Sequence, residues 1–369
     1  MKKELGKKGK IVITVISLIL VAVLVVLTIW AVPFHGKESL DHWNSKMEYT
    51  EDYAFTIEKQ PGKDFEILTI ADTQLSDTVD VFAKGDPYKE IEQLIEARKP
   101  DLIIVMGDIT WTALTKLSAK QFIKFIDSFG IPWAPIFGNH EDETEQGYYC
   151  AVDKNWFADQ FLKAENIIFK KGPNNIGGVG NYVINVTENG KIVESLIMMD
   201  THAKRQYPEF DNQWFYDYIY DGQMDWYRWV LDGLKAQNGG EMVESMLFIH
   251  IPLCEYLDAY KAWEASGFDE EMGFGNKHED VYCGKINSGM FDLIKEIGST
   301  KYVFAGHDHS NNYSVLYEGV RLTYCTKTGY RTSYAEGQTG GTYITIGDRT
   351  ELCAPTVNIE HAIIDYPTK

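Results

Sequence analysis

Seven residues at five separated points of the chain carry side chains that could share one pair of metal ions. They are Asp72 in IADTQ, Asp108 in VMGDIT, Asn139 and His140 in IFGNHE, His250 in LFIHIP, and His307 and His309 in FAGHDHS. Oxygen and imidazole donors without a thiolate suit Mn, Fe, Zn or a similar divalent ion. A two-ion centre of that kind activates a water and clamps the oxygens of an in-line phosphoryl displacement. Most of these residues follow a short apolar run, so each falls where a buried strand would end and a loop begin. In α/β folds the carboxyl ends of strands are where ligand chemistry gathers.

The elements that must position these residues can be read around them. Residues 65–71 predict a strand ending at Asp72, 102–106 a buried strand ending at Asp108, and 132–137 a strand leading into Gly138-Asn139-His140. Residues 246–249 would deliver His250, and 301–305 precede Gly306. Between the first two strands, Asp86-Pro87 reads as an N-cap followed by proline at the first helical position. Ser118 could cap a helix whose Phe122, Phe125, Ile126 and Phe129 face inward. This strand–helix–strand rhythm points to βαβ units on a buried sheet. Residues 156–165 and 223–236 predict further helices, the latter the longest outside the N-terminal run. Residues 181–186 and 195–199 read as strands with a turn at Asn189-Gly190, a hairpin signal. Residues 314–322 and 342–346 add strands, and 255–287, rich in Gly, Tyr and acid with little period, read as a long loop beside the site.

In order and spacing the five blocks resemble the calcineurin-like metallophosphoesterases, closest to their purple-acid-phosphatase-like branch. The family pattern is D-x-H, G-D-x-x, G-N-H-D/E, H and G-H-x-H. Here the blocks stand as Asp72-Thr73-Gln74, Gly107-Asp108-Ile109-Thr110, Gly138-Asn139-His140-Glu141, His250 and Gly306-His307-Asp308-His309. The resemblance implies an α/β fold over residues 64–369, a four-layer αββα sandwich of two mixed β-sheets flanked by helices. It implies that Asp108 bridges two divalent metal ions, that Asp72, Gln74 and His309 complete the first, and that Asn139, His250 and His307 complete the second. A metal-bridging hydroxide would then attack phosphorus directly. His140 would stand off the ions, beside the leaving group, where an imidazole can protonate a departing alkoxide or orient the phosphate. A histidine that only holds Asn139 is the other reading of that position.

Two positions depart from the family pattern. Gln74 replaces the first-block histidine, so an amide oxygen would stand in for an imidazole. Trp111 stands where true purple acid phosphatases carry an iron-binding tyrosine, so the ligand set no longer favours Fe(III). Trp111 could wall the pocket or pack in the core. Asp200-Thr201-His202 reads as a polar strand end, and the acidic run Glu141, Asp142, Glu143 and Glu145 as a solvated loop in which Glu141 completes the family block.

The chain has 369 residues, enough for one large α/β domain. Its net charge is −19, and residues 1–10 contribute five lysines against Glu4, a net of +4 that leaves −23 for the rest. So acidic a body argues against a nucleic-acid polymer as partner. Small phosphorylated substrates remain open, because bound cations set the local field. The chain therefore reads as a metal-dependent phosphoric ester hydrolase. The competing class is a non-enzymatic binding protein on the same fold with a decayed metal site.

Residues 11–32 are uncharged and almost wholly apolar. At about 1.5 Å per residue they match a hydrocarbon core of roughly 30 Å. Five preceding lysines favour a cytoplasmic N-terminus and an extracytoplasmic body. The run reads as one N-terminal transmembrane signal-anchor helix rather than a cleaved signal peptide, since Ile29-Trp30-Ala31 is a poor cleavage site. Residues 33–63 then read as a juxtamembrane linker. The five cysteines (150, 254, 283, 325 and 353) imply no disulfide framework by their spacing. Asn185-Val186-Thr187 fits a glycosylation sequon.

Overall fold

The computed structural model describes residues 12–21, 23, 35–76, 86–112, 114–144, 152–348 and 355–364. The strands in chain order are β1 (Phe55–Glu58), β2 (Phe65–Ile70), β3 (Leu102–Val105), β4 (Trp133–Pro135), β5 (Tyr182–Glu188), β6 (Lys191–Met198), β7 (Lys204–Tyr207) and β8 (Gln213–Tyr216). They continue as β9 (Ser245–Phe248), β10 (Gly273–Phe274), β11 (Thr300–Ala305), β12 (Ser314–Tyr317), β13 (Val320–Tyr324), β14 (Gly340–Ile346) and β15 (Val357–Ile363). The helices are α1 (Pro87–Arg98), α2 (Thr115–Asp127), α3 (Lys154–Phe161), α4 (Asp221–Gln237), α5 (Glu255–Ala265) and α6 (Met290–Ile297).

Two mixed sheets carry the fold. One has five strands in the order β15-β14-β2-β3-β4, the other eight in the order β1-β5-β6-β9-β11-β13-β12-β10. Within them β2, β3 and β4 run parallel, as do β6, β9, β11 and β13. Alternation along the eight-stranded sheet defines the layers, because successive side chains on a strand face opposite ways. Met246, Phe248, Leu196, Met198 and Phe304 share a core with β2, β3, β4 and helices α1 to α3. Their neighbours Leu247, Ile249, Ile197, Met199, Val303 and Ala305 pack instead against α4, α5 and α6. The result is an α/β fold with mixed sheets flanked by helices.

Local signals explain several boundaries. Asp86 caps α1 by accepting from the Tyr88 backbone N–H, with Pro87 at the first helical position. The Asn189-Gly190 turn joins β5 to β6 with both residues left-handed, φ 54° and 73°, the conformation a two-residue hairpin turn requires. Ser118 does not cap α2. It lies buried inside that helix, which begins at Thr115 because the Thr112 hydroxyl accepts from Leu114 and its carbonyl from Thr115.

Three further expectations need correction. Residues 255–287 are not a structureless loop: Tyr256, Ala259 and Trp263 form one buried stripe on α5, and a Cys254–Cys283 disulfide ties the following segment back. Residues 314–322 form no single strand. Glu318 and Gly319, with φ 48° and 83°, turn the chain into the β12–β13 hairpin. The expected linker is partly built into the domain, with β1 pairing parallel to β5, Trp43 and Ala54 buried, and the Trp229 indole donating to the Met47 carbonyl. Asn185 of the sequon is buried in β5, its side-chain oxygen accepting from the Ser195 hydroxyl.

Half of the expected span at 11–32, residues 11, 22 and 24–32, lies outside the described residues. Residues 12–21 and 23 are helical, and their apolar side chains are exposed, Leu18 at 64%. Among the described residues no helix is long and apolar enough to cross a membrane.

Candidate metal centre

The parallel strands of both sheets end on the same side, and there the chain turns sharply. Asp72 and Gln74 follow β2, Asp108 follows β3, and Asn139 opens a 3-10 turn (Asn139–Glu141) after β4. From the other sheet, His250 follows β9, while His307 and His309 follow β11. Asp72, Gln74, Asp108 and His307 all adopt left-handed backbone, with φ between 40° and 74°. Non-glycine residues hold such angles at a cost of order 1–3 kcal/mol each, a cost that tends to collect at functional sites. The glycines of the motifs serve close approach: a Cβ on Gly107 would fall 2.4 Å from the Gly138 nitrogen, and one on Gly138 2.2 Å from Asp108 Oδ1. Short parallel bridges, Ala71 to Lys327 and Leu75 to Thr110, stitch these ends together.

The side chains converge into two overlapping triads, Asp108–His250–His307 and Asp72–Asp108–His309, each with its donor atoms within 4.8 Å of one another. Asp108 belongs to both. Its Oδ2 lies 3.4 Å from His250 Nε2, and Asp72 Oδ1 lies 3.8 Å from that nitrogen and 3.6 Å from His309 Nε2. Three of the candidate ligand atoms are buried and lack a hydrogen-bond partner: Asn139 Oδ1, His250 Nε2 and His307 Nδ1. Buried polar atoms are seldom left unpaired, and an oxygen with two imine nitrogens beside a carboxylate is a donor set for a divalent cation.

The electrostatics agree with that donor set. Burial works against ionising Asp108, yet the imidazoles of His140, His250 and His307 hold its carboxyl well below the usual range. Burial pulls the His250 imidazole down, and Asp108 with Asp72 more than offsets it, raising the group to about 10. The two carboxylates thus favour positive charge at this point. His250 Nδ1 lies 2.7 Å from the Met106 carbonyl oxygen, which keeps a proton on Nδ1 and turns Nε2 inward toward the carboxylates.

His140 sits beside the triads rather than in them. Its backbone N–H donates to Asp108 Oδ1 at 2.9 Å, its Nδ1 lies 2.6 Å from Glu143 Oε2, and its Nε2 is 3.6 Å from Asp108 Oδ2. Burial lowers this imidazole too, but Asp108 and the Glu143 hydrogen bond raise it to about 9. With 21% of the side chain exposed, His140 can be reached from outside. The Trp111 ring lies 6.1 Å from it.

Glu141 and Glu143 are not solvated, contrary to the sequence expectation, being 0% and 2% exposed. The tight turns bury backbone N–H groups that need an acceptor. Glu141 takes those of Asp108, Ile109 and Gly138, while Glu143 also accepts from the Asn139 amide at 2.9 Å. Glu145 lies outside the described residues. Asp200 is a structural strand end, paired with buried Lys154 at 2.7 Å.

Gln74 reaches the cluster with its nitrogen. Its Nε2 lies 3.0 Å from His309 Nε2 and 3.4 Å from Asp108 Oδ2, whereas its oxygen accepts from the Thr332 hydroxyl. Thr332 and Ser333, the latter 2.7 Å from His309 Nδ1, carry no sequence signal. Neither does Tyr216 at the end of β8, whose ring meets His307 edge-on at 4.4 Å, nor buried Lys327, which donates to the Asp72 carbonyl. Glu143 could have been found, since it stands three residues after His140, a spacing that brings side chains together on a helical turn.

Comparison with known proteins sets all of these blocks inside one family match. The model of the calcineurin-like phosphoesterase family matches residues 65–311. The probable inactive purple acid phosphatase 14 of Arabidopsis thaliana is 26% identical over 272 residues, 68% of this chain and 63% of its own. Phosphatase DCR2 of Saccharomyces cerevisiae is 28% identical over 289 residues, 69% of this chain and 46% of its own. The chain thus spans roughly half to two thirds of the length of these relatives. Among solved structures, purple acid phosphatase PPD1 from yellow lupin (Lupinus luteus) seeds is 12% identical with a TM-score of 0.43, covering 77% of this chain and 50% of that one.

Proposed function

The chain belongs to the calcineurin-like phosphoesterases, in their purple-acid-phosphatase-like branch, and we propose that it hydrolyses small phosphate mono- or diesters with the help of divalent cations. The observation that carries this reading is the set of unpartnered buried atoms, His250 Nε2 and His307 Nδ1 of the triad with Asp108 and Asn139 Oδ1 after β4. Asp72 and His309 complete the second triad around the same carboxylate. Bound cations would supply Lewis acidity toward the phosphoryl oxygens and lower the pKa of a water.

The protein's own groups define the remaining roles. Glu143 holds His140 Nδ1, so that Nε2 is the atom free to give a proton to the departing oxygen. Tyr216 walls the His307 side and Trp111 the His140 side. Substrate selectivity then falls to the β7–β8 hairpin and the 330–335 segment rather than to the ligand cluster.

A second reading, a cation-binding protein without turnover, is favoured by Gln74 and by the word "inactive" in the names of plant relatives. The test is to assay the full chain in detergent on mono- and diester substrates with Mn²⁺, Zn²⁺ or Fe²⁺. Turnover that chelation abolishes and added cation restores supports the enzyme. Tight cation binding with no turnover on any ester supports the second reading.

The same proposal places the body outside the cytoplasm, anchored by residues 11–32. Exposed apolar side chains on residues 12–21 support it, as does the Cys254–Cys283 disulfide, a bond that persists in oxidising compartments. Protease accessibility of the body in sealed, right-side-out membranes tests it, and protection there would refute it.

A further inference from the structure

The two halves of the ligand cluster are not equivalent. Among the candidate ligand atoms, the three buried ones without a hydrogen-bond partner are Asn139 Oδ1, His250 Nε2 and His307 Nδ1, and none belongs to the Asp72–Asp108–His309 triad. On the other side the polar atoms already have partners. His309 Nε2 has the Gln74 amide nitrogen at 3.0 Å, His309 Nδ1 has the Ser333 hydroxyl at 2.7 Å, and Gln74 Oε1 has the Thr332 hydroxyl.

The amide nitrogen is turned toward the cluster, facing His309 Nε2 and, at 3.4 Å, Asp108 Oδ2. An amide carries two N–H donors, so this orientation can serve both acceptors. The reverse orientation would set the carbonyl lone pairs against a carboxylate and an imine nitrogen, and would leave the Thr332 hydroxyl facing the NH₂. If Gln74 donates to His309 Nε2, His309 Nδ1 is the nitrogen left to donate to Ser333 Oγ. Buried Lys327, donating to the Asp72 carbonyl, adds a built-in positive group on the same side.

We propose that this chain holds one divalent cation tightly, between Asp108, Asn139, His250 and His307, and that the Gln74 amide, held by Thr332, stands in the place of a second. This rests on the cation-dependent reading above, but it concerns stoichiometry and can fail while that reading stands. Asp72, Asp108 and His309 then form at most a weak site, entered only when the amide turns over.

The experiment is titration of the chelator-treated full chain in detergent with Mn²⁺, followed by calorimetry and by electron paramagnetic resonance. One tight equivalent and the spectrum of an isolated Mn²⁺ are expected. Gln74→Glu should add a second tight equivalent and a spin-coupled pair. Thr332→Val, which releases the amide oxygen, should strengthen the weaker site by about tenfold, the lower end of what outer-sphere partners contribute to metal affinity. Two equally tight equivalents or a coupled pair in the unaltered chain would overturn the proposal and leave the enzyme reading intact. Unchanged stoichiometry in Gln74→Glu, with its fold verified by circular dichroism, would also overturn it. Absence of any tight cation would overturn both.

Discussion

The five-stranded sheet brings oxygen to the centre, and the eight-stranded sheet brings imidazole. Asp72, Gln74, Asp108 and Asn139 come from the ends of β2, β3 and β4, while His250, His307 and His309 come from β9 and β11. Each set is oriented by the opposite sheet. His250 is held by the carbonyl of Met106 beyond β3, and the Asp72 carboxylate accepts from the backbone N–H of His307 at 3.1 Å. Neither sheet could bind a cation well alone. The centre is a property of the seam, and a change on either side should be felt on the other.

The most direct way to break this seam is Asp108→Asn, which removes the one charge common to both triads. Turnover should fall to background and cation titration should lose its tight phase, while circular dichroism stays unchanged. More than a few per cent residual activity at full cation loading would mean that the carboxylate is not shared. Next in size is His140→Ala, which keeps both triads and removes only the group beside them. Loss of a general acid costs roughly 10²- to 10⁴-fold. The loss should shrink for nitrophenyl esters, whose leaving group needs no proton, and equal losses across leaving groups would assign His140 a positioning role.

Cation binding should also tie the sheets together thermodynamically. A ligand held at a hundredfold excess over its Kd stabilises the folded state by about 2.7 kcal/mol. Thermal melts with Mn²⁺ and with chelator should separate accordingly, and Asp108→Asn should erase the separation. A gap that persists in that variant would place the stabilising ion elsewhere.

The smallest effect concerns Glu90 of α1, whose carboxylate reaches across the seam to the Gly329 N–H at 3.0 Å and is otherwise buried. Burial raises its pKa to about 7, against the opposing pull of Gly329 and Lys327. The folded chain therefore keeps a proton that the unfolded chain has lost between about pH 4.5 and 7. Stability falls as pH rises through that window, with the full cost present above it. Glu90→Gln should stabilise the protein at pH 8 by on the order of 1–2 kcal/mol and make no difference near pH 4. Denaturant melts at the two pH values measure this, and a pH-independent gain would remove ionisation as the cause.

Much of this arrangement was legible because period and punctuation agreed. Strands that end in Asp72, Asp108, His250 and Gly306 are short apolar runs, and Asp86-Pro87 and Asn189-Gly190 fix their neighbours by backbone geometry alone. What stayed hidden depends on tertiary contact. The stripe Tyr256, Ala259, Trp263 lies among glycines and acids that mask its period. β1 gains its place only by pairing with β5, and Glu141 and Glu143 look like solvent-facing acids until the N–H groups they serve are seen. Thr332 and Ser333 follow β13 by several residues and meet Gln74 and His309 only through folding. The orientation of the Gln74 amide, and with it the asymmetry of the cluster, lies in that same hidden class.

The stapling of the N-terminal segment sets a leash length. The His35 imidazole and the Gly36 N–H both bond Asp153 at the start of α3, and the Lys37 N–H bonds Asp159. If residues 11–32 span a bilayer, three residue steps separate the last of them from a fixed point on the domain. At no more than about 3.6 Å per residue that is a reach of about 11 Å. A body so tethered would not sweep a volume of solution; it would ride on the membrane and meet only what arrives at that surface.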